Sequence, residues 1–218
     1  MKINNNNLNK LSTIEKIDLV KNTYNVIAEK YVKIFFEDSC DNKYIDKFLN
    51  NLSGTKILDA GCGVGNDCKY AQERGFEIVG IDFADEIIKE AKKKYPVGNF
   101  KVMDVTQLSF PKETFDGIIF INVLFHLPKS QIDHVFNELN KVLKKGGKMI
   151  MIFQEGDEEK IVEEPLERGY YMYMQHYTFE FIERKLKEHN LKVYDFEREV
   201  VDDKNCPIDK KLILYVTK

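Results

Sequence analysis

The segment Ile57-Leu58-Asp59-Ala60-Gly61-Cys62-Gly63-Val64-Gly65-Asn66 constrains this chain more than any other stretch. A short apolar run meets an acidic residue and then three glycines at alternate positions. Glycine lacks Cβ and tolerates positive φ, so the chain can turn sharply there and leave bare backbone open to a ligand. A helix beginning directly afterwards would turn its free N–H groups and positive dipole end toward that ligand. The pattern predicts a site for a nucleotide-like cofactor at the edge of a parallel sheet.

Glycine spacing separates two kinds of turn. The dinucleotide turn G-x-G-x-x-G would require glycine at position 66, where Asn66 stands. From Asp59 to Gly65 the chain instead reads D-x-G-x-G-x-G. That form resembles the first motif of the class I S-adenosylmethionine-dependent methyltransferases. A nicotinamide-dependent oxidoreductase fails on the same spacing.

Bulk properties suit an enzyme of one domain. The 218 residues give ample length for a core, and 43% hydrophobic with 32% charged residues is ordinary globular composition. A formal net charge of −3 offers no general attraction to phosphate backbones. The four cysteines, Cys40, Cys62, Cys68 and Cys206, contain no C-x-x-C pair. Without an apolar run long enough to span a bilayer or a signal-peptide core, the expectation is a cytoplasmic protein with neither membrane nor metal partner.

Along the chain, Met1–Lys10 is Asn-rich and expected to be disordered. Ser12 and Glu15 form a capping box, and Ile14, Ile17, Tyr24, Ile27, Ala28 and Tyr31 follow at helical spacing. From Lys56 strands and helices alternate. Strands are expected at Lys56–Ala60, Glu77–Asp82, Phe100–Val105, Asp116–Asn122 and Lys148–Gln154. Their continuous apolar character suits burial on both faces. Helices are expected near Gly65–Arg74, Asp85–Lys94 and Ser130–Lys145, the last capped by Ser130 and ended by Gly146-Gly147. Thr178 can cap a helix reaching about Asn190. Then Leu191–Val201 and Leu212–Thr217 follow as strands joined by a polar turn at Asp202–Asn205 and Pro207, so they must run antiparallel.

This order implies an α/β fold: a doubly wound, mostly parallel seven-stranded sheet closed by a C-terminal antiparallel hairpin, Rossmann-like as the methyltransferase resemblance implies. The expected parts of the 11–218 domain are a helical cover (11–52), a cofactor-binding core (56–154), an acceptor-side lid and helix (155–190) and the closing hairpin (191–218).

Ligands in such sheets bind beyond the carboxyl ends of the strands. Asp82 ends the second strand, 17 residues after Gly65. A carboxylate there can accept hydrogen bonds from both ribose hydroxyls, and Phe83 can lie against an adenine ring. The resemblance gives Asp104 and Val105 contacts with the adenine edge, and Asn122 a place beside the methionine part of the cofactor. Tyr24-Asn25-Val26-Ile27-Ala28-Glu29-Lys30-Tyr31 resembles the Y-x-x-x-A-x-x-Y cover helix of small-molecule methyltransferases. It therefore adds Tyr24 and Tyr31 to Asp59, Gly61, Gly63 and Gly65 as cofactor-binding residues. The implied donor is S-adenosylmethionine, converted to S-adenosylhomocysteine, and the implied acceptor is a small molecule.

Methyl transfer requires in-line positioning and exclusion of water, and a proton acceptor only for some acceptors. His126, just past the fourth strand, is the candidate base. His176 is a lesser one. The acidic run Glu155–Glu164 reads as a solvated loop or helix, and Tyr170–Tyr177 as aromatic and methionine lining for an acceptor pocket. A nucleic-acid methyltransferase and a non-catalytic cofactor-binding protein remain as alternatives. The former would carry a basic surface or an N/D-P-P-Y-type fourth motif, which this sequence lacks.

Overall fold

The computed structural model describes residues 11–200 and 210–218. Met1–Lys10, Cys206 and the expected turn at Asp202–Pro207 lie outside the described residues. Fifteen elements are α1 (Thr13–Phe35), α2 (Asn42–Leu49), β1 (Lys56–Ala60), α3 (Asn66–Gln72), β2 (Glu77–Asp82), α4 (Asp85–Lys94), β3 (Asn99–Val102), β4 (Phe115–Ile121), α5 (Ile132–Val142), β5 (Leu143–Gln154), β6 (Glu159–Glu163), β7 (Tyr171–Gln175), α6 (Phe179–Glu188), β8 (Lys192–Val200) and β9 (Lys210–Thr217). The main sheet has seven strands in the order β3-β2-β1-β4-β5-β9-β8. Its first five strands are parallel, and β9 pairs antiparallel with both β5 and β8. The α/β sheet with its closing hairpin is therefore the architecture the alternation implied.

Consecutive residues in the strands feed opposite faces, and both faces are covered. Leu58, Ile118, Phe120, Met149 and Met151 pack with α5 and α6 side chains such as Phe136, Leu139 and Ile182. Their neighbours Ile57, Ile119, Ile150 and Ile152 pack with Tyr44, Ile45 and Phe48 of α2 and with Cys68 and Ala71 of α3. This double burial is why the strands read as unbroken apolar runs.

Helix α1 crosses outside these layers. Its capping box is formed, with Ser12 Oγ accepting from Glu15 N and the Glu15 carboxylate accepting from Ser12 N. Its buried stripe is Val20, Thr23, Ile27, Ala28 and Val32, whereas Ile14 is 70% exposed and not on that face. Ala28, Val32 and Phe36 pack on Val64, Ala84 and Ile87, so the helix lies over the glycine turn and α4. Nearer its start, Val20 packs with Ile161 and Tyr173.

Four expectations change. The acidic run is loop only in its first part, over Gly156–Glu158: from Glu159 it forms β6, which pairs antiparallel with β7 in a separate two-stranded sheet. Its charges are held by partners distant in sequence, as in Lys16 with Glu159 at 2.7 Å. Helix α5 starts after a 3-10 turn at Lys129–Gln131, and Ser130 is not its cap, because its hydroxyl sits 3.0 Å from Thr13 Oγ1. That helix stops at Val142 rather than Lys145, since Leu143 already pairs with Phe115 of β4 and the two glycines fall inside β5. Strand β3 ends at Val102, leaving Asp104 and Val105 in the following loop.

The glycine turn itself is fixed by backbone geometry. Gly61 has φ +88°, and a Cβ there would lie 2.2 Å from Val123 Cγ2. Gly75 has the same φ but no atom within 4 Å. We expect Gly75→Ala to cost about 1–2 kcal/mol, the penalty of the left-handed region. Gly61→Ala should cost at least about 1 kcal/mol more through overlap with Val123. Urea unfolding of the two variants checks this, and equal losses would remove the packing role of Gly61.

Candidate active site

β1 enters the turn with its ladder extended: Gly61 N and Cys62 N both donate to Ile81 O at 2.8 Å. Gly65 N then donates to Cys62 O at 2.9 Å, and Gly65, at φ +85°, stands at the start of α3. Its Cβ would meet the Phe100 ring at 2.5 Å. Gly63 differs from both. At φ +51° its missing Cβ would meet only Tyr31 Cε1, 3.8 Å away, and Gly63 lines an open cavity. Gly61 and Gly65 thus serve packing, and Gly63 presents bare backbone to that cavity.

The cavity has a volume of about 690 Å³ and runs from Gly63 and Asp67 past Tyr31, Phe35 and Asn122 to Val162, Glu164, Met172 and Met174. A smaller chamber of about 70 Å³ lies between Ile17, Phe83, Asp104, Val105 and Thr106. Tyr24, Asn122 and His126 line both. Of the sequence-predicted residues, Tyr24, Tyr31, Gly63, Asn122 and His126 line the cavity, and Phe83, Asp104 and Val105 line the chamber.

Asp82 ends β2 and lines neither space itself, meeting the cavity wall through Gly63. Its Oδ2 accepts from Gly63 N at 3.1 Å and its Oδ1 from Ala84 N at 2.9 Å. A carboxylate oxygen accepts more than one hydrogen bond, so both retain capacity for hydroxyl donors. Burial raises the Asp82 carboxyl to about 6 against the lowering effect of those N–H groups. Asp59 does not reach the cavity. It is buried beneath the turn and accepts the Cys68 thiol at 3.2 Å, and burial raises it to about 7. Its role is to support the turn from below. Asp104 is exposed, and its Oδ1 accepts from both the backbone N–H and the hydroxyl of Thr106.

His126 is buried with both ring nitrogens engaged. Nδ1 lies 3.1 Å from the Tyr173 carbonyl, which can only accept, so Nδ1 carries the proton. Nε2, 2.9 Å from Tyr24 Oη, then accepts from the tyrosine hydroxyl. Burial lowers the His126 imidazole to about 4. A neutral ring with both nitrogens occupied is a poor base near neutrality, which corrects the expected catalytic role. His126 instead ties α1 to β7. His176 is buried with Nε2 unpartnered and does not line the cavity.

The segment Tyr170–Tyr177 also divides differently from expectation. Tyr173 is buried against Val20, with its hydroxyl donating to Glu159. Tyr177 donates to Leu127 O at 2.5 Å. Only Met172 and Met174 of this segment line the cavity. Sequence reasoning missed Glu164, Leu166 and Phe35. Glu164 was hidden in an acidic run, and the other two carried no local signal.

Asn122 has φ +57°, rare for a residue with a side chain, and its buried Oδ1 has no partner. Such strain at the end of a sheet strand is characteristic of ligand-holding positions. The orphan acceptor on the shared wall, the Gly63 opening and the unsaturated Asp82 carboxylate all fit a group that donates hydrogen bonds.

Comparison with known proteins agrees. Residues 57–147 match the family model described as a methyltransferase domain. A phosphatidylethanolamine N-methyltransferase of Cereibacter sphaeroides is 30% identical over 108 residues, covering 47% of this chain and 52% of that protein. A sterol 24-C-methyltransferase of Pneumocystis carinii is 37% identical over 111 residues, covering 48% and 29%. The chain thus spans about half or less of the length of these curated relatives. In fold it is similar to 1,6-didemethyltoxoflavin-N1-methyltransferase of Burkholderia thailandensis, solved with its toxoflavin precursor and S-adenosylhomocysteine. That likeness has a TM-score of 0.74 at 16% identity over 95% of this chain and 91% of that one. Magnesium protoporphyrin IX methyltransferase of Synechocystis, solved with S-adenosylmethionine, gives 0.70 at 16% identity over 95% and 99%. Fold, first motif and family match define a class I methyltransferase architecture. The chain resembles the S-adenosylmethionine-dependent methyltransferases in fold, and its residues 57–147 match their methyltransferase domain.

Among the described residues no helix is long and apolar enough to cross a membrane, and no cluster of three His, Cys, Asp or Glu side chains is arranged for a metal ion.

The raised carboxyls set a pH dependence. A carboxyl whose folded-state pKa exceeds its unfolded value binds its proton more tightly when folded. Stability is therefore greatest below about pH 4 for these groups and declines as pH rises through about 6 for Asp82 and about 7 for Asp59. We expect the unfolding free energy of the ligand-free protein, measured in urea from pH 4 to 8, to carry this falling component. Asp82→Asn should reduce it, and an unchanged slope would contradict the assigned environment of Asp82.

Proposed function

We propose that this protein transfers a methyl group from S-adenosylmethionine to a small-molecule acceptor. The observation that carries the reading is the shared wall at Asn122, which joins the small chamber beside Phe83 and Val105 to the larger cavity. Phe83 and Val105 offer apolar faces to the base, with Asp104 at the chamber rim. Asp82 would accept the ribose hydroxyls. Asn122 Oδ1, which has no partner, would accept from the amino group at the donor's amino-acid end.

The sulfonium supplies an already activated methyl group when bound, so the protein contributes position and dryness, and a proton acceptor is needed only for an acceptor that binds protonated. The chain's own residues do this as follows. α1 roofs both chambers through Ile17, Tyr24 and Tyr31. The Tyr24–His126–Tyr173 hydrogen bonds hold that roof against the hairpin β6–β7. His126 is a positioning residue in this scheme, and no side chain need abstract a proton from acceptors that attack in neutral form.

A nucleic-acid acceptor is less favoured. No lysine or arginine is among the residues lining the cavity, and a phosphate backbone would meet carboxylates there. A non-catalytic cofactor-binding role is separated by turnover alone. A cytoplasmic setting is part of the proposal, as is the division into cover (11–52), core (56–154), lid (155–190) and hairpin (191–218).

Calorimetric titration with S-adenosylhomocysteine should show saturable binding that strengthens as pH rises through about 6, where Asp82 ionises. Asp82→Ala should weaken it at least about tenfold, as expected for a lost charged hydrogen-bond acceptor. Absence of binding, or tight binding of a nicotinamide dinucleotide instead, would overturn the proposal. Labelled S-adenosylmethionine supplied with a metabolite extract should yield a labelled small product, and none would favour the non-catalytic reading.

A further inference from the structure

We propose that the acceptor is an amine, recognised as a cation by Glu164 on the hairpin wall and methylated on nitrogen. This rests on the methyltransferase reading and adds the chemistry of the second substrate. The cavity wall contains five carboxylates, Glu37, Asp38, Asp41, Asp67 and Glu164, and no lysine or arginine. Four of the five are accounted for. Lys69 pairs with Glu37 at 3.1 Å, and Lys211 pairs with Asp41 at 2.7 Å. Asp38 accepts from Cys40 N in the loop after α1. Asp67 accepts the Asn66 side-chain amide, and burial raises its carboxyl.

Glu164 is different. It is 7% exposed and lies on the side of the cavity away from the glycine turn, between Val162 and Pro165. Its Oε1 accepts from Leu166 N at 2.9 Å, and among the described residues no cation pairs with it. Its field reaches the hydroxyls of Tyr24 and Tyr31 and contributes to raising both. A buried carboxylate is costly unless a cation or donors satisfy it. Around it are apolar and aromatic surfaces, namely Phe35, Leu166, Met172 and Met174, with Tyr31 and Phe35 tilted together at 4.4 Å between centroids. Aromatic faces and thioethers beside one carboxylate suit an ammonium on an apolar skeleton. They repel a phosphate or carboxylate, for which nothing on this wall supplies a positive charge.

The chemistry balances. An ammonium held against Glu164 gives the carboxylate one proton. The freed nitrogen lone pair forms the new N–C bond while the donor's S–C bond breaks with its electron pair left on sulfur. The positive charge passes from donor to product.

The test uses the full chain saturated with S-adenosylhomocysteine, so that cofactor binding is confirmed before any acceptor is added. Two skeletons, each as amine, alcohol and carboxylate, are titrated by calorimetry: 2-phenylethylamine, 2-phenylethanol and phenylacetate, and hexylamine, hexanol and hexanoate. At least one amine is expected to bind ten times or more tighter than both partners of its skeleton. Glu164→Gln should abolish that preference and leave S-adenosylhomocysteine affinity within twofold, whereas Glu164→Asp, which keeps the charge, should restore part of it. No amine preference in either skeleton, or one that survives Glu164→Gln, overturns the proposal. Failure of S-adenosylhomocysteine to bind overturns the underlying reading instead.

Discussion

The site depends on a turn that admits no side chain. Gly61 and Gly65 adopt φ of +88° and +85°, and the space where their Cβ atoms would lie is filled by Val123 and Phe100. Val123 follows β4 and Phe100 belongs to β3, so the turn after β1 packs on strands to either side of it in the sheet. Both N–H groups after β1 converge on Ile81 O, which carries the β1–β2 pairing into the turn. Asp82 is thereby brought within 3.1 Å of Gly63 N. The position of the one carboxylate suited to ribose hydroxyls is thus a consequence of glycine packing.

A second constraint comes from outside the sheet. α1 covers the turn, and its polar face is tied down by single hydrogen bonds to distant segments: Thr23 to Tyr171 O at 2.7 Å, Tyr24 to His126, and Lys16 to Glu159. Each bond is modest alone, on the order of 1 kcal/mol. These bonds add to the apolar stripe of Val20, Ile27, Ala28 and Val32 that packs beneath the helix. Deeper in the molecule, Leu58, Ile118 and Ile119 are fully buried in the two packed layers. The sheet carries the strand ends, and a helix held by both apolar packing and hydrogen bonds closes them.

Local pattern made much of this legible. The alternation of strands and helices, the capping box at Ser12, the cap at Thr178 and the antiparallel close of β8 and β9 all follow from periodicity and turn chemistry within a few residues. Gly63, Asn122 and Phe83 were legible because the strand-end rule names the positions where a ligand can sit. What was hidden depends on partners far along the chain. Glu159 and Glu164 read as solvated charge, yet one binds Lys16 and Tyr173 and the other is buried in the cavity wall. The pattern of Glu155–Glu164 carries no sign of the hairpin, because the cross-strand partners that fix it, Tyr171–Gln175, and the helix that covers it are remote. His126 lines the cavity after β4, and the carbonyl of Tyr173, 47 residues away, fixes its tautomer, a contact that no local pattern carries.

The central claim is that one ligand bridges Gly63, Asp82 and Asn122 beneath α1. Hydrogen–deuterium exchange with and without saturating S-adenosylhomocysteine tests it directly. Protection is expected in peptides covering residues 61–66, 82–84, 103–106 and 122–126 and in the α1 segment around Tyr24 and Tyr31, with no change in the outer strand β8. Protection absent from the glycine turn, or confined to β8 and the surface of α6, would contradict the account.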